Sequence, residues 1–413
     1  MRVLFLSQII PYPPNAGPRV KTWNVLRYLA DRGHDVTLVS FVRDDEVEFV
    51  PKLQEVCTAV HTVPIRRSRV ADVGYFLKSN LTGRPFLIER DDLAGMRKLV
   101  QYLLAGEAFD VVHADQLTMT QFALDAFAVT GKKRPFTVFD AHNATWTISE
   151  RLIDNVPWFL RPVLRLETER IKKYEAMLVT KFDHTMVVIE PDRGALMVGL
   201  PTAQHAETAR KISVIPIAVD TQQLQPVQRQ PDSLNIMTLG SLNYPPNVDG
   251  IRWFSQEIFP LVREQMPHVT LTIIGKSPPA DLVQLAETYP GAVDVTGYVP
   301  DLLPYMEKAA LMVVPVRAGS GMRVRLLEAF ARAMPAVTTT IGLEGIEATH
   351  DREVLVADTP TAFARETIRL LQDRALQQRL AENGRSLAET RYDWQVALRL
   401  MDEVYANALR EDV

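Results

Sequence analysis

The chain has 413 residues, 47 % of them hydrophobic, with 46 Lys and Arg against 50 Asp and Glu and a formal charge of −4. This composition excludes a disordered or fibrous chain and gives no electrostatic case for nucleic acid as a partner. A single cysteine, Cys57, excludes an intramolecular disulfide and argues against a thiolate zinc site. The apolar run at residues 3–6 is too short for the core of a signal peptide. The longest other run, residues 309–316, contains Pro315 and falls far short of a bilayer span. A cytoplasmic location is expected.

In chain order, a strand is predicted at residues 3–7, a helix at 19–32 and a strand at 36–41. A strand at 111–113, a helix at 117–127 and a strand at 137–140 follow. Aliphatic runs alternating with helical periodicity predict an α/β fold with a parallel sheet covered on both faces. The pattern restarts with a strand at 234–239, a helix at 248–264, a strand at 270–274, a helix at 280–288 and a strand at 293–295. It closes with a strand at 311–314, a helix at 324–333 and a strand at 336–339. Two doubly wound, Rossmann-like halves are implied, and two such halves facing one another would enclose a central cleft lined by strand-end loops. The loop-like composition of residues 214–231 places their boundary near residue 228. Near the end, Trp394, Leu398, Met401 and Tyr405 fall on one helical face, which is expected to pack on the first half.

The most informative window is residues 315–330, PVRAGSGMRVRLLEAF. A strand ends at Pro315, a small-residue turn follows, and a helix begins within Arg323-Val324-Arg325. Free N–H groups at a helix start and two guanidiniums suit a phosphate, and a surface charge cluster fits the same residues equally well. Glu328, one to two turns in, is placed either to accept from ribose hydroxyls or to face solvent.

This window resembles the donor-binding signature of the family 4 glycosyltransferases, retaining enzymes of the GT-B fold that use nucleotide-diphosphate sugars. Further stretches agree in order and spacing: residues 13–17 ending in Gly17, 110–115, Asp140-Ala141-His142-Asn143, Gly240-Ser241-Leu242, Gly297-Tyr298-Val299-Pro300-Asp301 and 342–345. The resemblance implies an acceptor-binding domain at 1–228, a nucleotide-sugar-binding domain at 229–390 and a helix at 391–413 crossing back to the first domain. It also implies donor contacts by Gly17, Gly240, Ser241, Tyr298, Val299, Ser320, Gly321, Met322, Arg323, Arg325 and Glu328. Asp115, His142 and Arg323 take the catalytic positions. The chain departs from the family where Ser320 replaces a common glutamate, Ser241 a common arginine and Asp115 a common histidine.

Several of these residues carry a second reading. Gly17 either lets backbone approach a diphosphate or acceptor, or simply serves a proline-rich turn. His142 either bonds sugar hydroxyls or phosphate, or is satisfied by backbone. Tyr298 either flanks the base-binding backbone or packs in the core. Asp115 directly precedes a predicted helix, where an N-cap competes with a place beside the reacting sugar. Loop 241–247 contains no cation, so Arg323 and Arg325 are expected to supply the diphosphate's countercharge, Arg323 foremost. Both reach one diphosphate only if the helix starts near Val324. For Arg325 a pair with a surface carboxylate is the alternative.

Arg66, Arg67 and Arg69 before Tyr75-Phe76-Leu77-Lys78, and Trp158-Phe159-Leu160-Arg161, mix cations with large apolar groups. Such mixtures are either peripheral contacts to anionic lipid or ordinary helix faces with a core side. A nicotinamide-dependent dehydrogenase fits poorly, because residues 7–21 hold only one glycine where G-x-G-x-x-G is expected. The expected activity is retaining, metal-independent transfer of a hexose from a UDP- or GDP-sugar to a saccharide or lipid-linked saccharide, with no cofactor beyond the nucleotide sugar. A nucleotide-sugar epimerase of the same fold and a catalytically silent nucleotide-sugar-binding protein are the alternatives.

Overall fold

A computed structural model describes residues 1–153, 156–319 and 321–410. The chain divides into two compact units, the first formed by Met1–Ile217 with Ala397–Val413 and the second by Ala218–Val396.

Unit 1 is built on β1 (Arg2–Ser7), β2 (Asp35–Val42), β3 (Ala59–Pro64), β4 (Val111–Asp115), β5 (Phe136–Ala141), β6 (His184–Val187) and β7 (Ile212–Val214). They form one seven-stranded sheet in the order β3-β2-β1-β4-β5-β6-β7, with every pair parallel. The central strands are buried along almost their whole length, as expected where helices cover both faces. Unit 2 holds β8 (Asn235–Leu239), β9 (Thr270–Ile274), β10 (Val293–Gly297), β11 (Ala309–Val314), β12 (Ala336–Thr338) and β13 (Leu355–Val356). Its six-stranded parallel sheet runs β10-β9-β8-β11-β12-β13.

Three expectations need correction. The helix predicted at 117–127 is only the short helix Thr120–Ala123 between 3-10 turns Leu117–Met119 and Leu124–Ala128. Thr118 and Thr120 are weak helix formers, and the Thr120 hydroxyl donates to the Leu117 carbonyl 2.6 Å away. The helix predicted at 248–264 begins at Pro245 and is interrupted by a π-helical turn, Phe254–Ile258. Pro260, in the first turn of Phe259–Gln265, has no N–H to donate, and the wider turn accommodates the missing bond.

The third correction concerns the boundaries. Residues 218–228 belong to unit 2 because they are stitched to its later helices. The Thr221 hydroxyl donates to Asp393 (2.6 Å), Arg385 donates to the Thr221 carbonyl (2.9 Å) and Val227 N–H to Arg332 (2.9 Å). The predicted terminal helix is two helices, Trp394–Ala397 and Leu400–Arg410, and its apolar stripe is shared. Trp394 stays in unit 2, its N–H donating to the Val219 carbonyl at 3.0 Å. Leu398, Met401 and Tyr405 are buried within unit 1, where Asp402 accepts from the Tyr28 hydroxyl at 2.9 Å and pairs with Arg32.

Candidate functional site

In each sheet the strand order reverses once, and loops leaving the two strands at that point diverge and open a crevice at the carboxyl ends. In unit 2 the reversal lies between β8 and β11. Arg325, in the first turn of the helix Val324–Ala331, reaches back across it. Nη1 donates to the Leu239 carbonyl at 2.8 Å and Nη2 to Asn247 Oδ1 at 3.0 Å. A Cβ on Gly240 would lie 2.6 Å from that Nη1, so a side chain there would displace the Arg325 guanidinium. Both partners are neutral, and among the described residues no salt bridge involves Arg325, so its positive charge stays at the crevice. Burial, with the like charge of Arg323, lowers its guanidinium to about 10, against the pull of Glu328. The reading of Arg325 as a surface-carboxylate partner is therefore wrong; Arg317 has that role, pairing with Asp249 at 2.6 Å and lying over the Trp253 ring.

Arg323 is the residue just before the helix, which begins at Val324 as the two-arginine arrangement requires. Its guanidinium lies over Gly319, whose φ of 108° and that of Gly321, 85°, turn the loop beneath it. Met322 is buried, and Ser320 lies outside the described residues. Glu328 is half-buried and does not stand in open solvent; burial pushes its carboxyl up to about 7, against the pull of Arg332 and Arg325. Ser241 is exposed, its carbonyl accepting from Asn247 Nδ2 at 3.2 Å. The ends of β8, β9 and β10 are linked by Gly240 N–H to the Ile274 carbonyl (3.0 Å) and Gly275 N–H to the Gly297 carbonyl (2.9 Å). Tyr298 and Val299 thus leave the sheet two strands from Gly240, and Tyr298, 67 % exposed, is not a core residue.

Because its raised pKa favours the neutral acid, Glu328 contributes stability that is full below its unfolded value near pH 4.5 and lost as pH rises through about 7. A ligand hydroxyl donating to the carboxylate selects the ionised form. Glu328→Gln is therefore expected to weaken UDP or GDP binding by about 1–3 kcal/mol at pH 8, and by less at pH 6, where the parent carboxyl is mostly protonated. Titration calorimetry at the two pH values measures this, and equal affinities for parent and variant at pH 8 would remove Glu328 from the nucleotide site.

In unit 1 the reversal lies between β1 and β4. Register sets Ser7 beside Asp115 and Asp115 beside Asp140, which puts two buried carboxylates at neighbouring strand ends. Asp115 is not an N-cap. Its Oδ2 accepts from the hydroxyls of Thr22 (2.8 Å) and Ser7 (3.3 Å), and its Oδ1 lies 2.7 Å from His142 Nε2. The following residue, Gln116, has φ 74° and ψ 159° and leads into the 3-10 turn without a side-chain cap. His142 accordingly has a carboxylate partner where a backbone-satisfied ring was the alternative. Asp140 pairs with the buried ammonium of Lys21 and faces His113 Nε2 at 3.4 Å, while His113 Nδ1 meets the Tyr405 hydroxyl at 2.8 Å. Although burial acts to raise the Asp140 carboxyl, Lys21, His113 and His142 hold it well below the usual carboxylate range.

His113, Asp115 and Asp140 bring metal-type donors within 4.8 Å of one another. Lys21 already supplies a positive charge at Asp140, and His113 Nδ1 meets the Tyr405 hydroxyl while its Nε2 faces Asp140. Gly17 opens the helix Gly17–Asp31 after an extended Ala16 that provides no side-chain cap. The sequence reading missed Lys21, Thr22, Ser7, Asn247 and Tyr405. A charged Asp140 within a strand rich in Phe and Val was the available signal for a buried cation, and a lysine among Val20, Trp23, Val25 and Leu26 was its counterpart.

Two doubly wound parallel units match the GT-B class of glycosyltransferase fold. Residues 17–223 match Glycosyltransferase Family 4 and residues 233–373 match Glycosyl transferases group 1. The chain belongs to the family 4 glycosyltransferases. It is 22 % identical over 404 residues, 95 % of this chain and 96 % of the relative, to an uncharacterized 44.6 kDa protein in the cps region of Klebsiella pneumoniae. Among solved structures it resembles a sucrose-phosphate synthase from Thermosynechococcus elongatus (TM-score 0.71, 15 % identity, all of both chains). It also resembles Anabaena HepE in complex with UDP (TM-score 0.68, 15 % identity, 98 % of this chain and 100 % of that one). These likenesses establish the two-domain α/β fold.

Proposed function

We propose that the protein is a retaining hexosyltransferase. It takes a UDP- or GDP-sugar as donor and glycosylates a hydroxyl of a saccharide or lipid-linked saccharide, in polysaccharide or glycoconjugate synthesis. The observation that carries this reading is Arg325, held at the β8/β11 reversal by neutral partners, with Arg323 and Glu328 on the same helix start. A leaving nucleoside diphosphate gains negative charge, and a pre-placed guanidinium with a helix N-terminus stabilises that charge without reorganising. No divalent metal and no further cofactor is then required. Glu328 binds the ribose, the backbone at Tyr298 and Val299 meets the base, and Gly240, Ser241, Gly321 and Met322 line the donor. The same proposal assigns acceptor recognition to unit 1, a donor contact to the Gly17 backbone, and the Asp115–His142 pair a place beside the reacting sugar. HepE's capture of UDP-glucose supports the uridine alternative.

A panel of UDP- and GDP-hexoses tests the reading, scored by thermal protection and by release of nucleoside diphosphate with saccharide acceptors in the presence of chelator. One nucleotide sugar is expected to raise the melting temperature and to be consumed with retained anomeric configuration. Conversion to an epimer without acceptor, or tight nucleotide binding with no transfer to any acceptor, would replace it with one of the alternatives above.

A further inference from the structure

The loops at the carboxyl ends of β8, β9 and β10 are residues 240–247, 275–279 and 298–302, and Lys276 is the one cation they carry. Lys276 is exposed and, among the described residues, enters no salt bridge. The acids around it are engaged or distant. Asp301 accepts from the Leu303 N–H at 2.9 Å, Asp249 pairs with Arg317 and Asp281 with Arg252. Those after β12 and β13, Glu344, Glu347 and Asp358, lie three strands or more from β9. The turn that carries Lys276 is also fixed. A Cβ on Gly275 would lie 2.1 Å from the Gly240 carbonyl oxygen and 2.7 Å from Leu242 Cγ, so any side chain at 275 would force the loops after β8 and β9 apart. Ser277 then takes φ 60°, a left-handed conformation that non-glycine residues seldom adopt, and Pro278 and Pro279 lead into the helix Ala280–Thr288.

β9 and β11 flank β8 on opposite sides. Lys276 therefore stands one strand spacing, about 5 Å, from β8 on the side away from Arg323 and Arg325, a distance its four-carbon stem can cross. We propose that Lys276 binds the inner phosphate of the nucleoside diphosphate, the one next to the ribose, while Arg323 and Arg325 face the outer one. This assignment rests on the donor reading above and extends it. It follows the order of the strands: the backbone after β10 at the base, Lys276 after β9 at the inner phosphate, and the arginines after β11 at the outer phosphate. The two phosphates differ in what they ask of a cation. Transfer breaks the bond between the anomeric carbon and an oxygen of the outer phosphate, and the bonding electrons stay on that oxygen, so new charge develops there. The inner phosphate carries the same charge before and after. A cation placed on it stabilises ground state and transition state alike, which tightens donor binding without raising turnover.

The test is calorimetric titration of the full chain with UDP, UMP and uridine, and with GDP, GMP and guanosine in parallel, the series that the parent binds being the one scored. Lys276→Met is expected to weaken the diphosphate and the monophosphate by about tenfold or more and to leave the nucleoside unchanged, and Lys276→Arg to keep most of the parental affinity. Affinity for the diphosphate should fall more steeply with salt in the parent than in Lys276→Met. In steady-state assays Lys276→Met should raise the donor KM by a similar factor with turnover at saturating donor about as in the parent, the reverse of the pattern expected when Arg323 is removed. The side chain is exposed, so the melting temperature without nucleotide should not move. Parental affinity in Lys276→Met, a loss shared equally by the nucleoside, a loss that spares the monophosphate, or a fall in turnover with unchanged KM would overturn the assignment and leave the donor site standing. A parent that binds no member of either series would remove the donor reading and this inference together.

Discussion

Lys21→Met should lower the stability of unit 1 by about 3–5 kcal/mol, the cost of leaving one member of a buried ion pair without its partner. Lys21 is 2 % exposed and Asp140 not at all. Methionine fills similar space but leaves the Asp140 carboxylate without its ammonium partner, with only the His113 and His142 rings to act on it. Adding Asp140→Asn removes the stranded charge, and the double variant should recover most of the loss. The acid limb gives a second signature. The Asp140 carboxyl is depressed in the folded parent, so its contribution is present above the unfolded value near pH 4 and lost as pH falls below it. In Lys21→Met the unpaired carboxylate instead gains from protonation, and acidification toward pH 4 should narrow the gap between variant and parent. Urea melts at several pH values measure both effects. A single variant as stable as the parent would show that Lys21 does not neutralise Asp140.

Arg323→Ala should reduce turnover at saturating donor by about a hundredfold or more, as loss of an electrostatic stabiliser of a leaving group does. The helix start should survive, because the Arg323 side chain makes no capping bond and only its backbone precedes Val324. Arg325→Ala is the informative contrast. It removes the bonds to Leu239 and Asn247 that tie the helix to the loop after β8, so melting temperature and nucleotide affinity should fall together. Rapid-quench single turnovers separate the chemical step from product release. Normal turnover in Arg323→Ala, or loss of parental activity in chelator, would mean that the arginines do not carry the diphosphate charge.

The parts of the fold legible in the sequence are those whose signal is local. Aliphatic runs such as Val3–Leu6 and Ile236–Met237 mark central strands because parallel strands covered on both faces need apolar residues at every position. β6 and β7 escaped because they are four and three residues long and include His184 and Ser213. The glycine-arginine window was readable as an anion site, but the reach of Arg325 to Leu239, 86 positions away, depends on β8 and β11 being neighbours. The N-cap reading of Asp115 fails for the same reason. The nearest backbone amides made a helix cap the local choice, whereas its actual partners, Ser7, Thr22 and His142, lie 108, 93 and 27 positions distant.

Asp402 bonds Tyr28 across 374 positions, and Tyr405 bonds His113 across 292. During synthesis this has a temporal meaning. The ribosome finishes β7 and must then translate all of Ala218–Val396 before the helix Leu400–Arg410 exists. At about 5–20 residues per second that delay is roughly 10–35 s, long enough for the seven-stranded sheet of the first unit to form before its last helix is made. Throughout that interval the nascent first unit holds His113 without the hydroxyl that later meets it, and the surface awaiting Leu398 and Met401 lies open to chaperones. The unit begun first can thus be closed only after the whole of the second has been translated.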